Sequence, residues 1–336
     1  MSRPALSGVA SFLFVFLAIF SGTDLVAQGG YAASFLRRAD SPAEAAMGGT
    51  LNPWSSNPAL LFRNGAALTR LQHPGVFMSA SILPDPQGAV QTGIATNLGQ
   101  TGGIGFGITS YSIDNIDRRG IDGRSLGMTS SRDMALTMSG GLKIGPGSIG
   151  GTLRYLRYDV QSIEGASWGL TMDISGILTF REHLIFSMEL ANIAGEMNAA
   201  YRDGLREAIP YEARLGITYA YPLKEKSTAE RVDPSGTMTT RMLRPATYIL
   251  GTGGLRISEF DETLIVEGAI EAVPAELAPD AAVGLRAGLN SLGDMSFGFF
   301  LDAPIDLGKN PRISFASRRD YERGEFSIHS GLEFNF

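Results

Sequence analysis

The sequence contains no cysteine among its 336 residues, which excludes disulfide bonds, thiolate metal ligands and cysteine nucleophiles. Its three histidines, His73, His183 and His329, show no metal-ligand spacing, so we expect neither a metal ion nor a cofactor. Charge is also scarce, because Asp, Glu, Lys and Arg make up 18% of the chain, against about 25% in soluble domains. The net charge of -6 is spread without blocks, which indicates that nucleic acid is not a partner.

Long hydrophobic runs are missing after the N-terminus, where no segment approaches the roughly 20 apolar residues that a membrane-spanning helix needs. At the N-terminus itself, Arg3 precedes the mostly apolar stretch Ser11–Gly22, and the small residue Ala27 follows at a suitable cleavage position. This order is typical of a secretory signal peptide. A buried core helix is the alternative, but it does not account for a place at the extreme N-terminus. The sequence therefore predicts a signal peptide over residues 1–27 and a mature protein outside the cytoplasm.

Apolar and polar residues alternate along most of the mature chain, with the period of two that is typical of β-strands. The stretch YEARLGITYAY (211–221) is the clearest case, with Leu215 and Ile217 in one row and Arg214 and Thr218 in the other. Roughly fourteen such segments follow one another, and many of them have about nine to twelve residues. Strands of soluble proteins usually have about five or six residues, whereas tilted strands of about 9 to 11 residues cross a bilayer.

Two all-β folds fit this alternation. A soluble sandwich or propeller would have shorter strands and more charge on its outer face. Here Gly, Ser and Thr dominate the polar rows, and aromatic residues such as Trp168, Tyr219, Tyr221 and Phe336 lie at the ends of apolar rows. A lipid-facing band with aromatic girdles and a polar lumen accounts for both features. We therefore predict an all-β fold, a transmembrane antiparallel β-barrel of about 14 strands over residues 71–336, in the bacterial outer membrane with its lipid as a partner.

Residues 28–70 do not alternate and instead carry signals for short helices. Ser41–Glu44 has the pattern of a capping box with proline at the first helical position, and Gly48-Gly49 ends the helix. Asn57-Pro58 starts a second short turn or helix. Helices of this length are not stable alone, so they need a surface on which to pack. We therefore predict that this segment is a hatch inside the lumen of the barrel.

The segment FLRRADSPAEAAMGGT (35–50), followed by NPALL (57–61), resembles the N-terminal signature of the PorV/PorQ family. The later stretches IPYEARLGITYAY, VGLRAGLN and DYERGEFSIHSGLEFNF are similar to later strands of that family. The stretch TLNPWSS (50–56) departs from it, because the family usually has an acidic residue there. The resemblance implies a FadL-like outer-membrane barrel with fourteen strands and an N-terminal hatch. The residues that carry this hatch motif are Phe35, Leu36, Met47, Gly48, Gly49, Asn57, Pro58 and Ala59.

The resemblance implies two functions of different classes. Relatives of PorV act in type IX secretion and bind exported cargo, so secretion components or cargo would be the partners. Other FadL-like barrels take up small hydrophobic molecules through a lumen that a hatch closes. Exposed apolar surface on long outer loops would favour secretion, and an apolar pocket between these loops and the hatch would favour uptake. An enzyme is not expected, since the glycines of GGIGFG (102–107) alternate within a strand and Ser148 lacks the nucleophile-elbow pattern.

Charged residues on the polar rows are expected to face the lumen, because a charge facing lipid near mid-membrane costs roughly 2–4 kcal/mol. Mutual ion pairing is one interpretation of these charges, and a path for a ligand is the other. The residues concerned are Glu212, Arg214, Glu267, Glu271, Arg286 and Glu333.

The connection Leu223–Pro245 raises a separate question, because it falls on the periplasmic side if both termini do. Either one strand is miscounted or the protein has a long periplasmic loop.

Overall fold

The computed structural model describes residues 32–37, 40–50, 53–54, 57–163, 165–180, 183–198, 206–224, 231–232, 238–239, 247–258, 264–278, 281–303, 311–320 and 324–336. The predicted signal peptide lies outside these residues. Within the described ranges, none of the helices is long and apolar enough to cross a membrane.

Strands dominate the described chain. In chain order they are β1 (Gly75–Leu83), β2 (Gln87–Asn97), β3 (Gly102–Arg119), β4 (Ser125–Ile144), β5 (Gly147–Val160), β6 (Ser167–Phe180), β7 (Leu184–Ala191), β8 (Glu196–Asn198), β9 (Arg206–Ala208), β10 (Glu212–Lys224), β11 (Arg231–Val232), β12 (Met238–Thr239), β13 (Thr247–Ser258), β14 (Leu264–Ala278), β15 (Ala281–Asn290), β16 (Met295–Asp302), β17 (Arg312–Arg319) and β18 (Phe326–Asn335). The short β8–β9 hairpin extends the sheet beside β6, and β11 pairs with β12 as a separate ribbon.

The other 14 strands form a closed antiparallel barrel, which confirms the predicted fold class. The ring closes where β1 pairs with β18, in a register that runs from Gly75 opposite Asn335 to Ile82 opposite Ile328. Because the last strand has a partner on both sides, its alternation continues almost to the C-terminus. Closure also leaves no unpaired edge in the barrel wall, as a structure surrounded by lipid requires.

The first and last barrel strands define two ends of the barrel. We call the end at which β1 begins and β18 ends the proximal end, and the opposite one the distal end. Lys224 of β10 and Thr247 of β13 pair at the proximal end, so the long connection between these strands starts and finishes there. The strand count therefore stands, and the two strand ends that flank the long connection lie at the end of the barrel where β1 begins and β18 ends. At the distal end, the β3–β4 hairpin is the longest of the wall.

The two faces of the wall differ as the alternation predicts. Along β10, Ile217, Tyr219 and Tyr221 are about half exposed, whereas Thr218 and Ala220 are completely buried. Large apolar side chains are exposed in the same way on most barrel strands, and examples are Ile94, Leu136, Ile270 and Leu289. A continuous apolar surface of this extent is unfavourable in water, so the outer wall is a surface that lies in lipid.

The N-terminal segment folds into four short helical turns inside the barrel, namely a 3-10 helix over Ser34–Arg37, α1 (Pro42–Ala46), and 3-10 helices over Pro58–Phe62 and Gly65–Arg70. We call the described residues between 32 and 70 the hatch. The Ser41 hydroxyl accepts from the Glu44 N–H, and the Glu44 carboxylate accepts from the Ser41 N–H, so the predicted capping box forms. Helix α1 contacts β15 to β18, and the last turn contacts β2 to β6 on the other side of the lumen. The hatch therefore spans the lumen from wall to wall.

Candidate functional site: hatch and lumen

The hatch approaches the wall where the wall has glycines. On β15, a Cβ added to Gly288 would lie 2.4 Å from the carbonyl carbon of Met47 and 2.5 Å from the nitrogen of Gly48. Gly48 and Gly49 have φ values of +68° and +86°, which favour glycine and turn the chain away from α1. The predicted Met47-Gly48-Gly49 motif thus forms a tight turn whose backbone rests directly on the backbone of β15.

A second group of wall glycines lies opposite the two later turns of the hatch. A Cβ at Gly103 would lie 2.3 Å from the Leu68 carbonyl oxygen, and one at Gly150 would lie 2.1 Å from the Ala66 nitrogen. The glycines of β3 to β5 therefore leave the space that the hatch fills. The stretch GGIGFG was predictable only as a strand, since nothing local shows that a second segment packs on its inner face.

Asn57 joins the hatch to the last strand. Its Oδ1 accepts from the Ala59 N–H at 2.7 Å and caps the turn that Pro58 begins, while its Nδ2 donates to Glu333 Oε1 at 2.7 Å. Asn57 and Glu333 are both almost completely buried. Two predicted sets, the hatch motif and the lumen charges, therefore meet at this contact.

Ion pairs form a buried layer across the lumen. Arg63 of the hatch pairs with Asp40 and lies 3.4 Å from Glu44, while Arg318 of β17 lies 3.5 Å from Asp40 and 2.7 Å from Asp294. Burial opposes ionisation of Asp40, but Arg63 and Arg318 outweigh it and hold the pKa of this carboxyl below its usual value. We call this set the charge layer, and it comprises Asp40, Glu44, Arg63, Arg154, Asp173, Glu189, Glu212, Arg214, Arg256, Glu267, Asp294 and Arg318.

The six predicted lumen charges all lie inside the barrel and are at most 6% exposed. Glu212 pairs with Arg214, and Arg256 of β13 lies 3.5 Å from Glu212 and 3.0 Å from Glu267. Nearer the proximal end, Arg286 donates to Glu271 at 2.6 Å, and the Tyr248 hydroxyl donates to the same carboxylate.

Several members of the charge layer were not predicted. Arg154, Arg256 and Arg318 lie on inward rows of their strands, so the alternation carried a signal for them. Asp40 and Arg63 lie in the hatch, where no periodicity indicates which side chains face inward. Their role depends on the fold of a segment that has no regular pattern of its own.

An apolar cluster packs the first turn of the hatch against the wall toward the distal end. Phe35 of the hatch is 1% exposed and stacks on Tyr111 of β3 with ring centroids 6.2 Å apart. Leu36, also of the predicted hatch motif, packs against the same residues. We call this set the distal cluster, and it comprises Ala32, Phe35, Leu83, Ala89, Tyr111, Ala135, Leu156, Met197 and Ile209.

A luminal cavity of about 40 Å³ lies between the distal cluster and the charge layer. Ala32, Leu36 and Ile209 line one side of it, and charged residues that include Arg63 and Glu189 line the other. A cavity of this size has room for roughly two or three water molecules. It is therefore a small space with an apolar side and a charged side.

A larger pocket of about 780 Å³ opens on the outside of the distal end. Trp168, Leu170 and Tyr211 are among its lining residues, and Asn192 and Ile209 line both this pocket and the luminal cavity. The described residues Asn192 and Ile209 of the connection between β7 and β10 therefore lie between the two spaces. Among the residues that the structure describes, no group of His, Asp and Glu could hold a metal ion.

Comparison with solved structures shows that known outer-membrane proteins have a similar fold. No family profile and no curated protein matches the chain. One structure of the Pseudomonas putida toluene transporter TodX shares 10% identity at a TM-score of 0.57, covering 89% of this chain and 99% of the transporter. A second TodX structure shares 11% identity at a TM-score of 0.51, covering 88% of this chain and 96% of the transporter. A Pseudomonas aeruginosa FadL homologue shares 8% identity at a TM-score of 0.50, covering 88% of this chain and 96% of the homologue. The chain therefore has the fold of FadL-like outer-membrane β-barrels.

Proposed function

We propose that this protein is a gated outer-membrane barrel that takes up a small, largely apolar molecule from its distal end. The observation that carries the proposal is the distal cluster inside the lumen. Barrels that pass polar solutes have a polar interior, whereas here an apolar cluster of hatch and wall residues lies in the distal part of the lumen. TodX, which has a similar fold, is described as a toluene transporter.

The hatch is the gate in this proposal. An apolar molecule that reaches the charge layer would have to separate buried ion pairs, and breaking such a pair costs several kcal/mol, roughly 3–5. The axial route is therefore closed to it while the hatch stays in place. Because the 14 wall strands pair with one another in a closed ring without the hatch, a movement of the hatch in this proposal does not require the wall to open.

A disulfide that fixes the hatch to the wall tests this function. The chain has no native cysteine, and the buried methyl groups of Ala46 in the hatch and Ala316 on β17 belong to one packed cluster. We expect the double variant Ala46→Cys/Ala316→Cys to lose uptake of radiolabelled toluene by whole cells when oxidised and to regain it on reduction. The single-cysteine variants are the controls. Equal uptake by the locked and the reduced barrel would contradict gating, and no uptake by the wild type would contradict the function itself.

A PorV-type role in secretion is the second candidate, and the β3–β4 hairpin favours it. At the distal end this hairpin exposes Ile121, Leu126 and Met128, and a barrel that binds cargo needs an exposed apolar surface of this kind. We expect Ile121→Asp/Leu126→Asp/Met128→Asp to abolish export of a cargo and to leave toluene uptake unchanged if secretion is the function. Uptake would be favoured if locking the hatch abolishes toluene uptake while the triple hairpin variant still exports the cargo.

A further inference from the structure

Glu189 lies opposite Arg214 across the β7–β10 pair, but it differs from the other acids of the charge layer because it forms no ion pair within the described residues. It lies on β7, is 1% exposed and lines the luminal cavity. Its Oε2 is buried and has no hydrogen-bond partner, and within the described part of the chain no cation lies within ion-pair distance of its carboxylate. A buried polar group without a partner is unfavourable, so a hydrogen-bond donor in the cavity would stabilise Glu189.

The cations next to the cavity are already engaged. Arg154 pairs with Asp173 and donates to the Phe62 carbonyl oxygen at 2.7 Å. Arg63 pairs with Asp40 and Glu44, and Arg214 pairs with Glu212. A carboxylate ligand would therefore find no available cation in the cavity. A ligand with a hydroxyl group would meet a buried carboxyl group, and an oxygen of that group can accept a hydrogen bond from the hydroxyl.

We propose that the luminal cavity is a binding site for a neutral molecule with an apolar body and a hydroxyl group, and that Glu189 determines this specificity by accepting the hydroxyl proton in a hydrogen bond. The inference rests on the proposed uptake function and specifies its substrate class. The apolar body lies toward the distal cluster, and the hydroxyl group points into the charge layer.

The present cavity has room for the head group of such a ligand, and the body takes the place of the turn that covers the cavity. This turn begins at Ala32 and Ala33, which both line the cavity, and Ala33 has a φ of 58°. A left-handed conformation is strained for alanine. Displacement of the turn by a ligand would relieve this strain and would open the cavity toward the distal end.

Binding of three matched probes to the purified protein in detergent tests the inference. Phenol and toluene have nearly the same shape, but only phenol has a hydroxyl group, and benzoate has a carboxylate. By equilibrium dialysis we expect the wild type to bind phenol at least tenfold more tightly than toluene and to bind benzoate most weakly. In Glu189→Leu, phenol and toluene should bind equally. Glu196→Leu on the exposed β8 strand is the control and should keep the preference for phenol.

Each outcome decides between the proposals. Equal binding of phenol and toluene by the wild type overturns the role of Glu189 and leaves the uptake function standing. A preference for benzoate, or a preference for phenol that survives in Glu189→Leu, also overturns it. Failure of the wild type to bind any of the three probes contradicts the uptake function and the inference together. Heat-modifiable mobility in gels verifies that each variant forms the barrel.

Discussion

Asn57 Nδ2 donates to Glu333 Oε1 at 2.7 Å, so one side chain of the hatch is bonded to the strand that closes the barrel. The two residues are 276 positions apart in the chain. The same asparagine caps its own helical turn through Ala59, and the contact therefore links the local fold of the hatch to its place in the lumen.

Replacing Asn57 by alanine should destabilise the protein more than an ordinary loss of a helix cap. The cap contributes about 1 kcal/mol, and leaving the buried Glu333 carboxylate without this donor costs roughly 1–3 kcal/mol more. Urea unfolding in detergent measures the difference. Asn64→Ala is the matched control, because Asn64 caps the next turn through Ala67 and has no bond to the wall in the described structure. Equal losses in the two variants would show that the contact with Glu333 contributes nothing.

A methyl group on the glycine under the hatch should displace the hatch. In Gly288→Ala the new Cβ would overlap the backbone of Met47 and Gly48, and overpacking of this kind costs about 1–3 kcal/mol. We expect the variant to expose the hatch to limited proteolysis. Gly268→Ala on β14, where no atom lies within 4 Å of the added Cβ, should behave like the wild type. Protection of the hatch in both variants would mean that it does not rest on β15 as described.

Removal of Arg286 should lower stability without changing which ligand or cargo the protein handles. Its guanidinium bonds Glu271 and lies 4.4 Å from the centroid of the Phe300 ring. Arg286→Leu leaves Glu271 buried without this partner and should cost about 3–5 kcal/mol. The double variant Arg286→Leu/Glu271→Leu should recover most of this loss in thermal unfolding. A stable Arg286→Leu variant that has lost uptake would instead identify these charges as a path for the solute.

A charge on the outer wall should oppose insertion into membranes. Ile270 is 57% exposed on β14 in the apolar band, and arginine at such a position costs roughly 2–4 kcal/mol near the bilayer midplane. Folding of Ile270→Arg into lipid vesicles should be correspondingly weakened. Ile121→Arg, at the tip of the β3–β4 hairpin, should fold as the wild type does. Similar folding of both variants would contradict a lipid-facing position for Ile270.

The alternation of apolar and polar residues already determined the fold class and the face to which most wall side chains point. It did so because side chains of a strand alternate strictly between its two faces. It did not determine the strand lengths, because β7 has 8 residues and β4 has 20. A charge on the wrong face would meet lipid, so the pattern placed Glu212, Arg214 and Arg286 in the lumen before any partner was known. The sequence also determined the helical turns of the hatch, because a cap such as that of Ser41 and Glu44 depends on residues only three positions apart.

Only the tertiary structure decided which residues meet. The pairs of Arg63 with Asp40 and of Asn57 with Glu333 depend on the register of neighbouring strands and on where the hatch lies in the lumen. The same is true of the missing hydrogen bond at Glu189 Oε2. A shift of one residue in a strand would turn every side chain to the other face, and no local signal fixes how a second segment packs on that strand. Contacts between distant segments follow from the closure of the whole barrel, and closure is a property of all the strands together.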